Sequence, residues 1–367
     1  MNPRILSKRE LNRSLITRQL LTTRSDHASF DVIEHLIGLQ AQVTKPPYIG
    51  LWTRVKSFQR DELTQMMADR RVVRATMMRS TLHTVTARDY LWLRPTIQPA
   101  LTKALKAFYG QKAAGLDVER LVELSTPYLS ETPRTLVDMR AFLSTVDPSR
   151  DPETMTYAVR THYPVVQMPP GGNWGAGGSP AYIPAESWIG EPMAQSDVRR
   201  ALTRYLTAFG PASIMDFQAW SGMANLKSQI EPFKREFVVY RDEAKRELLD
   251  VPDMPIMAEN SPAPPRFIPE FDNLILSHAD RTRVISDEDY PKVFLSAGRV
   301  RATFLIDGFV HGTWKVIREK DSAVLVIEPF RPLEPNDQLT LYNEGERLVR
   351  FIEDDAEKFD VRIDSAN

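Results

Sequence analysis

Apolar positions in the first third of the chain recur at helical spacing and then switch to short extended runs. Ser7-Lys8-Arg9-Glu10 forms a capping box that starts a helix at Lys8, with Leu11, Leu15 and Leu20 as its apolar face. A second helix is predicted over 30–37, where Phe30, Val32, Ile33, Leu36 and Ile37 are apolar, and a third over 61–71 with Leu63, Met66 and Met67 inward. Residues 72–78 and 81–85 then read as two strands, with Arg79-Ser80 turning between them. Three helices followed by a short hairpin is the winged-helix pattern.

The pattern returns twice. After a bridging helical stretch at 87–110, helices are predicted over 117–129, 132–146 and 153–162, with Thr132-Pro133-Arg134 opening the second. Strands at 164–168 and 181–184 flank a loop that holds five of the sixteen glycines. No Lys-Ser/Thr follows this loop, so it reads as a long wing with Trp174 at its tip and not as a phosphate cradle. The third unit has helices at 197–208 and 212–220, a turn at Ser221-Gly222, and a second helix at 223–233 that carries Asn225 and Lys227. Strands at 237–240 and 248–251 complete it. Beyond a proline-rich linker at 254–269, strands at 300–306, 309–317 and 323–327 and a terminal helix at 339–352 fit a small β-barrel or curled sheet. The predicted architecture is α+β, with winged helices at 1–95, 96–194 and 195–265 and a β-barrel at 266–367.

Charge changes the picture more than composition does. The net charge is −1, but residues 1–110 hold 18 Lys+Arg against 8 Asp+Glu, while the other 257 hold 29 against 40. A basic third on an acidic body points to a polyanion partner or to a match between domains. The sequence has no cysteine, no apolar run of membrane length and a polar start. Disulfides and thiolate catalysis are excluded, and a cytoplasmic, membrane-free protein is expected. The six histidines are scattered without metal spacing, and hydrolase and dinucleotide signatures are absent. The residues alone therefore give a tandem winged-helix protein binding duplex DNA, for which a non-catalytic transcriptional regulator is one reading.

Gly38-Leu39-Gln40-Ala41-Gln42 is the stretch with candidate chemistry. Gly38 and the prolines 46 and 47 end the second helix here. If residues 40–42 are extended, both glutamines point the same way; if helical, they diverge by roughly 200°. On or beside the first hairpin lie Arg74, Arg79, Ser80 and His83. Lys45 follows the glutamines, and Arg281 and Arg283 lie in a loop between apolar segments. These cationic and polar groups, with Asn225 and Lys227, are the expected DNA contacts.

Four segments together resemble the winged-helix DNA glycosylases of the AlkZ type, a family linked to azinomycin resistance and interstrand crosslinks. They are Leu39-Gln40-Ala41-Gln42, Arg79-Ser80-Thr81-Leu82-His83, the run from Phe271 through Asp272-Asn273 to Arg283, and Ala302-Thr303-Phe304-Leu305-Ile306-Asp307-Gly308. The family's motif is Gln, an apolar residue, then Gln; Ala41 is a small middle residue that keeps the spacing. The resemblance implies a C-shaped arrangement of winged helices and a β-barrel around DNA; three different winged helices in one chain argue for a monomer, and the residues offer no conventional cofactor site. The resemblance also implies monofunctional excision of N7-alkylguanine, including the unhooking of interstrand crosslinks at the bacterial nucleoid. By motif, Gln40 and Gln42 become the catalytic pair.

Overall fold

The computed structural model describes residues 3–366, and the fold is α+β. In chain order its strands are β1 (Ile5–Leu6), β2 (Leu39–Gln40), β3 (Val72–Thr76), β4 (Leu82–Thr86), β5 (Arg134–Thr135), β6 (Val165–Gln167), β7 (Ala181–Pro184), β8 (Val238–Asp242), β9 (Glu247–Asp250), β10 (Arg266–Ile268), β11 (Thr303–Ile306), β12 (Phe309–Glu319), β13 (Ser322–Pro329) and β14 (Lys358–Ile363). They make three sheets, separated by helices.

The sheet that carries the glutamine segment has the order β2-β4-β3-β6-β7-β5. Its β3–β6 contact, Arg74 opposite Gln167, joins the hairpin of the first predicted unit to that of the second. Short pairing ladders expose edges, and here one edge of each hairpin is covered by the other. A second sheet joins β1 in parallel to β8, so the start of the chain adds a strand to the third unit's β8–β9 hairpin. The aromatic core of that unit (Tyr205, Phe209, Phe217, Trp220) is continuous with Met77, Met78 and Trp92 of the first.

The C-terminal sheet corrects the predicted barrel. Its order is β10-β11-β12-β13-β14, the first four antiparallel and the last parallel to β13, and its two edge strands do not pair. The helix Pro335–Ile352 makes the crossover between β13 and β14, so it is not the terminal element. It buries Leu341, Leu348, Val349 and Ile352 against Leu325, Ile327 and Val361. A sheet whose apolar face is covered by a helix has no need to close on itself. The same cluster takes in Tyr48, Leu51 and Trp52, so the C-terminal sheet rests on the helix that follows the glutamines.

That helix, Lys45–Arg54, is absent from the sequence reading. Pro46 and Pro47 occupy its first turn, where a missing N–H costs nothing, so they start a helix as well as follow one. Two smaller corrections are local. The second helix of the third unit is only Lys227–Ile230 before the backbone tightens into 3-10 turns, with Pro232 just after it. Arg134-Thr135 is a strand, and the helix begins at Leu136.

Candidate active site

The backbone of residues 38–41 is held from both sides. The helix Ser29–His35 closes with Ile37 at φ 55° and Gly38 at φ 93°, the Gly38 N–H donating to the Ile33 carbonyl at 2.9 Å. A Cβ on Gly38 would lie 2.4 Å from Val85 Cγ1 and 2.8 Å from the Thr84 oxygen, so only glycine fits against β4. Leu39 and Gln40 pair with Thr84 and His83, and the Ala41 N–H donates to the Leu82 carbonyl at 2.7 Å. Asn273 Nδ2 donates to the Gly38 carbonyl at 2.7 Å. Arg74 grips the Ala41 carbonyl with Nε and Nη2 at 3.0 and 2.7 Å.

Extended pairing ends at Gln40, and Gln42 lies in the bend before the helix Lys45–Arg54. The two glutamines therefore sit in different surroundings. Gln40 is buried, and Arg79 Nη2 donates to its Oε1 at 2.7 Å. Gln42 is exposed, and its Oε1 accepts a longer bond, 3.3 Å, from the Leu82 N–H. Both donors lack acceptor capacity, so the amide oxygens must face them. One oxygen lone pair and the Nε2 donors of Gln42 are left for a further partner.

Arg79 and Ser80 form the hairpin turn with φ 55° and 57°. Arg79 also donates to the Trp220 carbonyl at 2.6 Å, and Ser80 Oγ meets the Tyr157 hydroxyl at 2.7 Å. Burial, and then Arg281, lower the Arg79 guanidinium to about 10, which leaves it charged at neutral pH. His83 is fully buried; its Nδ1 donates to the Thr81 carbonyl at 3.1 Å, which leaves Nε2 as the acceptor, 3.5 Å from Arg79. Burial and the Arg79 charge lower its imidazole to about 3. His278, also buried, is lowered to about 3 by burial and Arg283.

Both histidines are neutral in the fold and take up protons near 6.5 when unfolded. The unfolded chain thus binds more protons between about pH 3 and 6.5. Their contribution is complete above that range and is lost as pH falls through it. The thermal midpoint is expected to drop between pH 7 and pH 5, with a loss of a few kcal/mol. His83→Gln is expected to flatten that slope; an unchanged slope would count against the assignment.

The structure gathers Gln40, Gln42, Arg74, Arg79, Ser80 and His83 at one end of the six-stranded sheet, and it corrects three of the expected DNA contacts. Arg74 is buried against Ala41 and Gln167, whose amide in turn donates to the Tyr182 hydroxyl at 2.6 Å. Arg283 is buried, bonded to the Pro211 carbonyl at 2.9 Å and 3.9 Å from Asp216. His83 has no exposed surface. Their polar groups are spent on protein partners, because an unpaired charge or donor in these interiors would be costly. Lys45 pairs with Glu353 at 3.0 Å. Arg281 is half-buried, donating to the Ile275 carbonyl at 3.0 Å and lying 4.9 Å over Phe294. Asn225, at φ 58°, and Lys227 are exposed on the third unit.

Sequence reasoning assigned no role to the groups that fasten this site. Asp272 pairs through both oxygens with Arg54 at 2.7 and 2.8 Å, both side chains buried. The tip of the glycine-rich loop packs across the chain on the helix Lys45–Arg54 and the helix Pro335–Ile352. Trp174 lies edge-on to Tyr48 and Phe351 and beneath Arg60 at 4.1 Å. Gly172, at φ 99°, lies where a Cβ would come 2.8 Å from Arg74 Cδ, so the loop backs the arginine that holds Ala41. The run Phe271-Asp272-Asn273 was the available signal, since a buried acid and amide beside apolar residues ask for partners.

Three comparisons bear on what this site belongs to. A family model described as DNA glycosylase AlkZ-like matches residues 33–351. The chain is similar to the interstrand DNA cross-link repair glycosylase of Streptomyces sahachiroi, at 24% identity over 348 residues, covering 86% of this chain and 89% of that protein. Its fold matches the structure of Streptomyces sahachiroi DNA glycosylase AlkZ with a TM-score of 0.81 at 18% identity, over 98% of this chain and 100% of the other.

Proposed function

Because this chain belongs to the AlkZ-like DNA glycosylase family, whose enzymes hydrolyse N-glycosidic bonds, we propose that it releases N7-alkylguanine from duplex DNA, crosslinked guanines included, with a water held by Gln42. The observation that carries this reading is the asymmetry of the glutamine pair: Gln40 is pinned by Arg79 at 2.7 Å, while Gln42 is exposed on a backbone fixed at Ala41.

Alkylation at N7 makes the guanine cationic. When the C1′–N9 bond breaks, its electron pair neutralises the base, so no acid is needed to protonate the leaving group. The sugar is left as an oxocarbenium ion, and water attacks C1′ from the opposite face. An amide does not ionise usefully, so it takes no proton. It can accept one water hydrogen on its oxygen and aim the water oxygen at C1′, and its dipole opposes the developing charge. Gln42 has the free lone pair for this. Gln40, bonded to a cation, is a poor stabiliser of positive charge and acts as a positioning residue beneath it. The proton lost by the attacking water goes to solvent.

The helix-and-hairpin units are read as three winged helices placed around the duplex, with Lys45, Arg79, Ser80, Asn225, Lys227 and Arg281 as the remaining DNA contacts. The test is single-turnover release of N7-methylguanine from a duplex oligonucleotide, with abasic sites read by alkaline cleavage. Release well above the spontaneous rate is expected. Absence of release from both this duplex and a crosslinked one, together with preference for a particular undamaged sequence, would favour a transcriptional regulator.

A further inference from the structure

A cleft of about 290 Å³ opens beside the bend that carries Gln42, and the chemistry above leaves it unused. Val43 and Ile49 line it from the bend and the following helix, Trp314 and Val316 from β12, and Pro269 and Glu270 from the turn after β10. The Trp314 indole N–H is spent on the Ile268 carbonyl at 3.0 Å, so this residue offers the cleft carbon surface. The cations at the rim are already matched: Lys45 with Glu353 at 3.0 Å and Lys315 with Glu328 at 2.6 Å. Glu270 differs. Exposed at the edge of the cleft, it has no hydrogen-bond or ionic partner among the described residues, and partial desolvation by the cleft walls pushes its carboxyl upward.

We propose that this cleft receives the alkylated guanine of a monoadduct, which is free to leave the stack, and that the Glu270 carboxylate reads its Watson–Crick edge. The proposal rests on the reading that N7-alkylguanine is the substrate. Guanine presents two adjacent donors, N1–H and the 2-amino group, which a carboxylate accepts with its two oxygens. Adenine offers an acceptor at N1, which would face the carboxylate unfavourably. The N7-alkylated ring carries a positive charge that an unpaired carboxylate attracts, and apolar walls suit its flat faces. A purine fits the volume, and Val43 places the cleft one residue from the amide proposed to hold the water. A base that leaves the stack is recognised in glycosylases through this edge.

The experiment compares N7-methylguanine with N7-methylhypoxanthine, which lacks the 2-amino donor, in otherwise identical duplexes. Wild type and Glu270→Gln are assayed under single turnover, each rate divided by the spontaneous one. The wild type is expected to favour guanine by roughly tenfold or more, the worth of one hydrogen bond to a charged group. Glu270→Gln is expected to slow both substrates, which share N1–H and the ring charge, but guanine about tenfold more, so that the two rates come together. Equal slowing of both substrates, or no slowing, would overturn the base-reading role. Binding of free 7-methylguanine, followed by calorimetry, separates this proposal from the reaction it rests on. If the wild type releases neither base but binds 7-methylguanine, roughly tenfold more tightly than Glu270→Gln does, the substrate reading falls and the cleft assignment stands. If it neither releases nor binds, both fall.

Discussion

Gln42→Ala is expected to slow single-turnover release of N7-methylguanine by roughly a hundredfold or more, the usual cost of removing one oriented dipole from a reacting centre. Duplex affinity is expected to stay within about twofold, because Gln42 is exposed and only its 3.3 Å bond with the Leu82 N–H ties it to the fold. Gln40→Ala provides the contrast. Its Oε1 satisfies the buried Arg79 guanidinium, so truncation removes an acceptor as well as packing, and both the rate and the thermal midpoint are expected to fall. A rate loss confined to Gln40→Ala, with Gln42→Ala as active as wild type, would transfer the water-holding role to Gln40. Gln42→Glu is a useful third variant. It keeps an acceptor but turns the Leu82 N–H bond into a charged one, and it is expected to retain activity better than alanine.

Asp272→Ala is expected to destabilise the protein by about 3–5 kcal/mol, the range for removing one partner of a buried ion pair. The side chains of Arg54 and Asp272 are 0% and 1% exposed and meet through both carboxylate oxygens. Without the carboxylate, the guanidinium keeps only its bonds to the carbonyls of Gln19 and Gly50. The loss also reaches the site. Asp272 caps the short helix that begins at Asn273 by accepting from the Leu274 N–H at 2.9 Å, and Asn273 holds the Gly38 carbonyl. Excision is therefore expected to fall with stability. Chemical denaturation of Asp272→Ala beside the double variant Arg54→Met/Asp272→Leu checks the cause. The double variant is expected to recover much of the loss, because exchanging a buried pair for apolar side chains is often neutral or favourable. An Asp272→Ala protein within 1 kcal/mol of wild type would show that water reaches Arg54 and that the pair does not fasten the site.

Local pattern carried far into this chain wherever a residue's environment was set by its near neighbours. The capping box at Ser7 formed as read, and the hairpin around Asp307-Gly308 and the extended strands beside Arg79-Ser80 did as well. Helical spacing of apolar residues and turn signals act over a few residues, so the chain displays them directly. The helix at Lys45–Arg54 was hidden because two prolines serve equally well as the end of one helix and the first turn of the next. The open C-terminal sheet was hidden because alternating strands do not say whether a helix or another strand covers their apolar face.

The sequence by itself determined the α+β succession of elements, the polarity of its ends and the Gln-x-Gln spacing, all matters of covalent order and local sterics. Tertiary structure decided what each polar group does. Arg54 and Asp272 are 218 residues apart, and Arg74 and Gln167 are 93 apart. Whether an arginine faces a phosphate or holds a carbonyl depends on the side of the surface where folding leaves it. Burial is the reason: a desolvated charge must find a partner within the protein, while an exposed one stays available to DNA.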